Sequence, residues 1–286
     1  MLTLRAPAKI NLTLEVLARR PDGYHGIRSV MVPLDLSDEL TVVPSAEFAF
    51  RCDRVELEGE RNLAVAAFRA LGDVAAMQIE LRKRIPVQAG LGGGSSDAAA
   101  VLRAAMDGAF GPLPDRDWLS LARSLGSDVP FFLAGTAALV EGTGERVTPT
   151  GRLPQWHAAI VKPPVAVSTA EAYERIDRLQ RPQRPRKDSA SIAMTEALQR
   201  GDFAGVESLM QNDFHDAIAS AVPEIANSVA ALHAAGATNA LLAGSGSCVF
   251  TLATDRATVE RILARLDLPP GYDRFASAFA QTPQWR

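Results

Sequence analysis

From Ala89 to Leu102 the chain runs AGLGGGSSDAAAVL, with glycine at four of the five positions from Gly90 to Gly94. Gly90, Gly92, Gly93 and Gly94 can take positive φ and carry no Cβ, so several backbone N–H groups can turn toward one anion. Ser95, Ser96 and Asp97 are helix-capping types, and Ala98, Val101, Leu102, Ala105 and Ala109 follow at helical spacing. A helix is therefore predicted to begin where the glycines end, with its positive end toward whatever the loop holds. The chemistry this suits is a grip on phosphate. A plain strand-to-helix turn is the alternative, but a turn needs one or two glycines and each further one costs about 0.5–1 kcal/mol of folding entropy. Neither common glycine signature fits: G-x-x-x-x-G-K-[ST] is absent, and Ser95 stands where G-x-G-x-x-G needs its third glycine.

Moving a phosphoryl group to a hydroxyl takes a phosphate cradle, a cation and a group that accepts or positions the hydroxyl proton. Lys9 is a candidate cation, on a strand's polar face with Asn11. Asp128, in the otherwise apolar GSDVPFFL run, is a candidate proton acceptor. Each has a plainer reading. Lysines on half-buried strands usually face water, and Gly126-Ser127-Asp128 also suits a helix cap or turn. Tyr24 and His25, in DGYH beside Asp22, are equally compatible with an ordinary turn.

These residues need elements to hold them. Ile10, Leu12, Leu14 and Val16 alternate with Lys9, Asn11, Thr13 and Glu15, the period of a strand with one buried face. Met77, Ile79 and Leu81 alternate similarly, so the glycine loop follows a strand, where ligands commonly bind. A further strand is expected at Ala158 to Lys162. Leu241 to Leu252 has the pattern of a hairpin turning at Gly244, Ser245, Gly246 and Ser247. That turn suits ligand contact as well as a plain tight hairpin. Pro149, Gly151 and Pro154 separate two apolar segments, which places a domain boundary near residue 150. Arg175 to Lys187, with six cationic residues and two prolines, is expected to be a solvated, mobile surface segment.

Composition narrows the setting. The chain has 286 residues, 47% of them hydrophobic, enough for a large core in two domains or one large one. Acidic and basic residues stand at 33 against 30, net −3, which argues against a general nucleic-acid or membrane-surface binder. Two cysteines and four scattered histidines show no metal-ligand spacing. Arg5 and Lys9 interrupt any signal-peptide core, and no apolar run approaches the ~20 residues that span a bilayer, so a cytoplasmic setting is expected.

Three segments together resemble the motifs of the GHMP kinase superfamily: PAKINLTL at Pro7 to Leu14, the glycine-serine loop, and LLAGSGSCVF at Leu241 to Phe250. DGYH at Asp22 to His25, GSDVPFFL at Gly126 to Leu133 and QNDF at Gln211 to Phe214 narrow the resemblance to members whose acceptor is a cytidyl-diphosphate sugar alcohol. It implies an α+β, two-domain fold, with a ribosomal-S5-like nucleotide-binding domain over 1–150 and a ferredoxin-like domain over 151–286. It implies ATP as phosphoryl donor, with Mg²⁺ to offset phosphate charge. Ala89, Gly90, Leu91, Gly92, Gly93, Gly94, Ser95 and Ser96 become the triphosphate grip, with Asn62 near the adenine. Asp128 becomes the base and Lys9 its partner. Tyr24 and Tyr173 would stack on the cytosine, His25 would read its edge, and Asn11 would bond the sugar-alcohol hydroxyls. Gln88 departs from the small residue usual before the loop, and no motif matches Arg181 to Lys187. A GHMP kinase for mevalonate-like or amino-acid alcohols is the alternative, and a non-catalytic nucleotide-binding regulator of the same fold is a further one.

Overall fold

Ala6 to Glu15 are buried without interruption in the first strand, although their alternation predicts one buried and one solvated face. The computed structural model describes residues 1–21, 23–179 and 189–281; Asp22 and the basic stretch 181–187 lie outside the described residues. β1 (Leu2–Arg19) runs antiparallel to β2 (His25–Pro44). Then come β3 (Ala49–Cys52), α1 (Leu63–Arg69), β4 (Met77–Arg82) and α2 (Gly93–Met106). Next are α3 (Trp118–Leu125), α4 (Val129–Ala134), β5 (Ala138–Gly142) and β6 (Arg146–Pro149). Beyond residue 150 follow β7 (His157–Lys162), α5 (Thr169–Arg178), α6 (Ala190–Arg200) and α7 (Phe203–Leu209). The chain continues through β8 (Gln211–Asn212), α8 (His215–Ala219), α9 (Pro223–Ala234) and β9 (Leu241–Leu242). It closes with β10 (Val249–Ala253), α10 (Arg256–Arg265) and β11 (Asp273–Ala278).

Among the described residues one sheet of seven strands runs β3-β4-β2-β1-β8, with β5 on β2 and β6 on β5. A second sheet of four runs β11-β7-β10-β9. Three apolar cores result: one between the first sheet and α1 to α4, one between the two sheets with α6, and one under α5, α8, α9 and α10. β1 contributes to all three, through Leu4 and Ala6, then Ile10 and Leu12, then Leu14.

The polar residues of β1 are buried because each finds a partner. Between Asn11 and Thr13 the strand carries one residue more than β2 opposite it, a bulge that flips the faces. Lys9, Asn11 and Leu14 consequently line one cavity. Thr13 and Glu15 turn the other way: the Thr13 hydroxyl lies 2.8 Å from that of Ser191, and Glu15 Oε2 accepts from Ser189 at 2.6 Å and Ser191 at 2.9 Å.

The strands expected before the glycine loop and at Ala158 to Lys162 are β4 and β7, and the hairpin pairs Leu241 with Phe250 and Leu242 with Val249. Two local expectations need correction. Helix α2 starts at Gly93, capped by Gly92 at φ +73°, so Ser95, Ser96 and Asp97 lie inside it. The left-handed turn at Gly92 starts the helix before any side-chain cap is needed. Arg175 and Arg178 belong to α5, paired one turn back with Glu171 at 2.7 Å and Glu174 at 3.3 Å. Among the described residues no helix is long and apolar enough to cross a membrane.

Asn212 fastens the two sheets. It sits on β8 at the edge of the first, yet its Nδ2 donates to Leu242 O at 2.7 Å and Gly244 O at 2.8 Å in the hairpin of the second, while its Oδ1 accepts from Phe214 N at 2.9 Å. Truncation strands buried carbonyls and an N–H, so Asn212→Ala is expected to cost about 2–3 kcal/mol of stability. Urea unfolding reads this, and a loss below about 0.5 kcal/mol refutes the fastening role.

Candidate functional site

A cavity of about 1350 Å³ opens where β1, the glycine loop, α4, α5 and the hairpin meet. Its floor is β1. Lys9 is 4% exposed, its Nζ donating to Asn11 Oδ1 at 2.8 Å and lying 3.6 Å from Asp128 Oδ2. Asn11 in turn donates to Ser29 Oγ at 2.8 Å, which fixes the amide so that its oxygen faces the ammonium. Asp128 occupies the N-cap position of α4, but its carboxylate makes no capping hydrogen bond and faces Lys9 instead. The cap reading is right about position and wrong about the side chain. Burial of Lys9 likewise removes the reading in which it faces water.

The glycine loop enters from above. Gly90 and Gly92 take φ +75° and +73°, whereas Gly93 and Gly94 have ordinary helical backbone, so only two of the four glycines use left-handed freedom. Close approach explains these two. A Cβ on Gly90 would stand 1.8 Å from Ala243 O, and one on Gly92 would stand 2.8 Å from the Phe132 ring. Backbone bonds join the loop to its surroundings: Lys9 N donates to Leu91 O at 3.0 Å, Cys248 N to Ala89 O at 3.1 Å and Ser247 N to Gln88 O at 3.4 Å. Gln88 is itself left-handed at φ +51°, a conformation that a glycine holds without strain.

Ala89, Gly90, Gly92, Gly93, Gly94 and Ser95 line the cavity, with the first turn of α2 directed into it. Leu91 and Ser96 do not. Leu91 is 1% exposed in the second core, and Ser96 is 0% exposed. Asn62 lines the opposite end of the cradle beside Leu63, and its amide is already engaged, capping α1 through Ala64 N at 2.9 Å and donating to Leu57 O at 3.0 Å. The hairpin closes the far side with Gly244, Ser245 and Gly246, and a Cβ on Gly244 would stand 3.1 Å from Lys9 Nζ.

The aromatic end departs from the expected arrangement. Tyr24 is 69% exposed, while His25 is buried and stacks on Tyr173 with ring centroids 5.3 Å apart and planes 14° apart. His25, not a base, therefore covers that side of Tyr173. Its Nδ1 lies 3.0 Å from Leu17 O and its Nε2 3.0 Å from Asp177 Oδ1. Leu17 O and the Asp177 carboxylate thus stand against the two imidazole nitrogens. Tyr173 also packs edge-on against Phe214 at 5.0 Å, so it is at once core residue and cavity wall. Burial, with the Asp128 charge adding to it, pushes the Tyr173 phenol up to about 12 and keeps it protonated at neutral pH.

Sequence reasoning missed three further features. Asp177 is one of them, signalled only by its spacing of one helical turn from Tyr173. Asn212 lay in the QNDF motif without a role. The third is a buried ion cluster, in which Lys83 Nζ donates to Asp38 and to Asp97 Oδ2, the latter at 2.8 Å. A lysine closing an alternating strand just before a glycine loop was its one visible trace.

Models of two families match the chain: GHMP kinases N terminal domain over residues 62–136, and GHMP kinases C terminal over residues 194–268. Among curated relatives, the 4-diphosphocytidyl-2-C-methyl-D-erythritol kinase of Deinococcus radiodurans is 40% identical over 91% of this chain and 87% of its own. That of Pelotomaculum thermopropionicum is 40% identical over 93% of each. Among solved structures, a 4-(cytidine 5'-diphospho)-2C-methyl-D-erythritol kinase superposes with a TM-score of 0.77 at 34% identity, covering 98% of this chain and 100% of that one. A homoserine kinase from Cytophaga hutchinsonii has a TM-score of 0.74 at 20% identity over 98% of this chain and 95% of its own, a likeness of fold alone.

Proposed function

The chain belongs to the GHMP kinase family, and from that premise we propose that it transfers the γ-phosphoryl group of ATP to the 2-hydroxyl of 4-diphosphocytidyl-2-C-methyl-D-erythritol, in non-mevalonate isoprenoid precursor biosynthesis. One observation carries the chemistry: the Lys9–Asp128 pair stands in the same cavity as the open side of the glycine cradle and the His25–Tyr173 stack. The reading divides the chain at 150/151 into a nucleotide-binding and a C-terminal domain. In support, β1 to β6 form one sheet and β7 with β9 to β11 another, β8 alone crossing back.

The cradle's N–H groups and the start of α2 hold the triphosphate. Asp128 accepts the proton of the 2-hydroxyl; the freed oxygen bonds to the γ-phosphorus, and the bond to the β–γ bridging oxygen breaks, its electron pair leaving with ADP. Lys9 faces the Asp128 carboxylate across 3.6 Å and offsets charge on the moving phosphoryl group. Asn11, which already orients Lys9, has its second amide hydrogen for a sugar-alcohol hydroxyl. Tyr24, His25 and Tyr173 take the cytosine, with Asp177 displaced from His25. Among the described residues no three His, Cys, Asp or Glu side chains form a metal site, so the residues present do not make a resident cation cage. Mg²⁺ belongs to this reading as the counter-ion that ATP brings with it, and no step is routed through it.

A panel of alcohols with ATP tests the reading. ADP release is expected with the cytidyl-diphosphate compound and not with mevalonate or homoserine. Release with either of those, and none with the cytidyl compound, assigns the chain to another branch of the family.

A further inference from the structure

Beside the phosphate cradle lies a cluster of charges that the proposed chemistry does not use. Asp38 on β2, Lys83 just past β4 and Asp97 on α2 gather their charged groups with side-chain exposures of 0%, 6% and 2%. One ammonium cannot neutralise two carboxylates, and an uncompensated anion in so dry a place is costly. The hydrogen bonds decide which carboxylate gives way. Three donors converge on Asp38: its Oδ1 accepts the backbone N–H groups of Arg84 at 2.6 Å and Ile85 at 2.8 Å, and its Oδ2 accepts from Lys83. Asp97 has Lys83 on Oδ2, but its Oδ1 is buried with no hydrogen-bond partner among the described residues. Only one contact favours its charged form.

The location gives this proton a consequence. Lys83 and Asp97 both line the cavity, and a Cβ on Gly93, the first residue of α2, would stand 3.2 Å from Lys83 Nζ. Any net charge on the cluster is felt where the cradle meets the helix start. We propose that Asp97 is a protonated positioning residue of the nucleotide site, whose proton keeps the cluster neutral so that Lys83 and the start of α2 meet the triphosphate without an opposing carboxylate.

Burial, foremost, and the Asp38 charge act against Lys83 to push the Asp97 carboxyl up to about 8. Lys83 itself pays for burial but is held above the usual lysine range by Asp97 and Asp38. The other groups facing the cluster are Asp53, whose Oδ1 accepts Lys83 N at 2.9 Å, and the Cys52 thiol, which burial pushes up. Lys9, Arg61 and Asp128 line the same cavity. Below about pH 8 Asp97 carries its proton, and above it a further negative charge appears beside bound ATP. ATP therefore favours the protonated form, and binding near that pH draws a proton from solution.

The inference rests on the ATP site of the proposed kinase and not on its acceptor. In the native protein KM for ATP is expected to rise about fivefold or more between about pH 7 and about pH 9.5, from one added charge near the triphosphate. In Asp97→Asn, whose amide never ionises, the same ratio is expected to stay within about twofold, whatever its absolute KM. Calorimetry of ATP binding at about pH 8, in two buffers of different ionisation enthalpy, is expected to show proton uptake by the native protein and none by the variant. This second arm needs no turnover, and its native half needs no variant to fold. Equal rises of KM in the two proteins, or native binding without proton uptake, overturns the proposal.

Discussion

Asp128→Asn is expected to lower kcat by about 10²–10⁴-fold while ATP binding persists, the range lost with a positioned general base. The geometry makes the comparison clean. Asparagine keeps the shape of the side chain at the head of α4, and because the native carboxylate makes no capping bond, no helix cap is lost. Lys9 keeps its hydrogen bond to Asn11 at 2.8 Å, so the ammonium stays in place. What disappears is the only acceptor in the pair able to take a proton. A coupled assay for ADP reads the loss, and titration with an ATP analogue reads the binding that survives. Turnover near the native rate would remove Asp128 from the mechanism.

Gly90→Ala is expected to destabilise the protein by about 3 kcal/mol or more and to raise KM for ATP at least about tenfold. The left-handed backbone at φ +75° costs a non-glycine residue about 1–2 kcal/mol by itself. The larger effect is contact. The new Cβ would stand 1.8 Å from Ala243 O, 2.8 Å from its carbonyl carbon and 3.1 Å from Gly246 N, all main-chain atoms that no rotamer change can move aside. The hairpin must retreat, and the bonds from Cys248 N to Ala89 O and from Ser247 N to Gln88 O go with it. Gly94→Ala is the control, since its Cβ would meet only Leu63 Cδ1 at 3.6 Å on ordinary helical backbone, and its unfolding midpoint should hold or rise. Urea unfolding and ATP titration read both variants; a Gly90→Ala protein with a native midpoint contradicts the account.

Much of the site is legible in residue types. Glycine density marked the cradle, the alternations marked β4 and β7, and a lysine and an aspartate remote in sequence were paired through a family resemblance that the 3.6 Å contact satisfies. The parts that were not legible share a cause. Glu15 and Thr13 look solvated because their partners, Ser189 and Ser191, come from a helix far along the chain. Asn212 shows no role within QNDF because two of its three bonds go to the hairpin of the other sheet. Serine and aspartate preferences misplaced the start of α2 because a backbone conformation at Gly92, not a side chain, begins it. Asp177 beside His25 was not legible because it reaches the imidazole Nε2 from α5, far along the chain.

The bulge in β1 sets different rules for changes of residue and changes of length. Exchanging one apolar side chain for another along this strand alters a volume, which a core can partly absorb. Length acts through the pairing: were the same residues paired with β2 without the bulge, alternation would be unbroken, with Thr13 and Glu15 turned toward the cavity and Leu14 toward the serines of α6. Substitutions in this stretch are therefore open to drift so long as the bulge is kept, and the bulge between Asn11 and Thr13 should be the more enduring mark of descent than the residues that fill it.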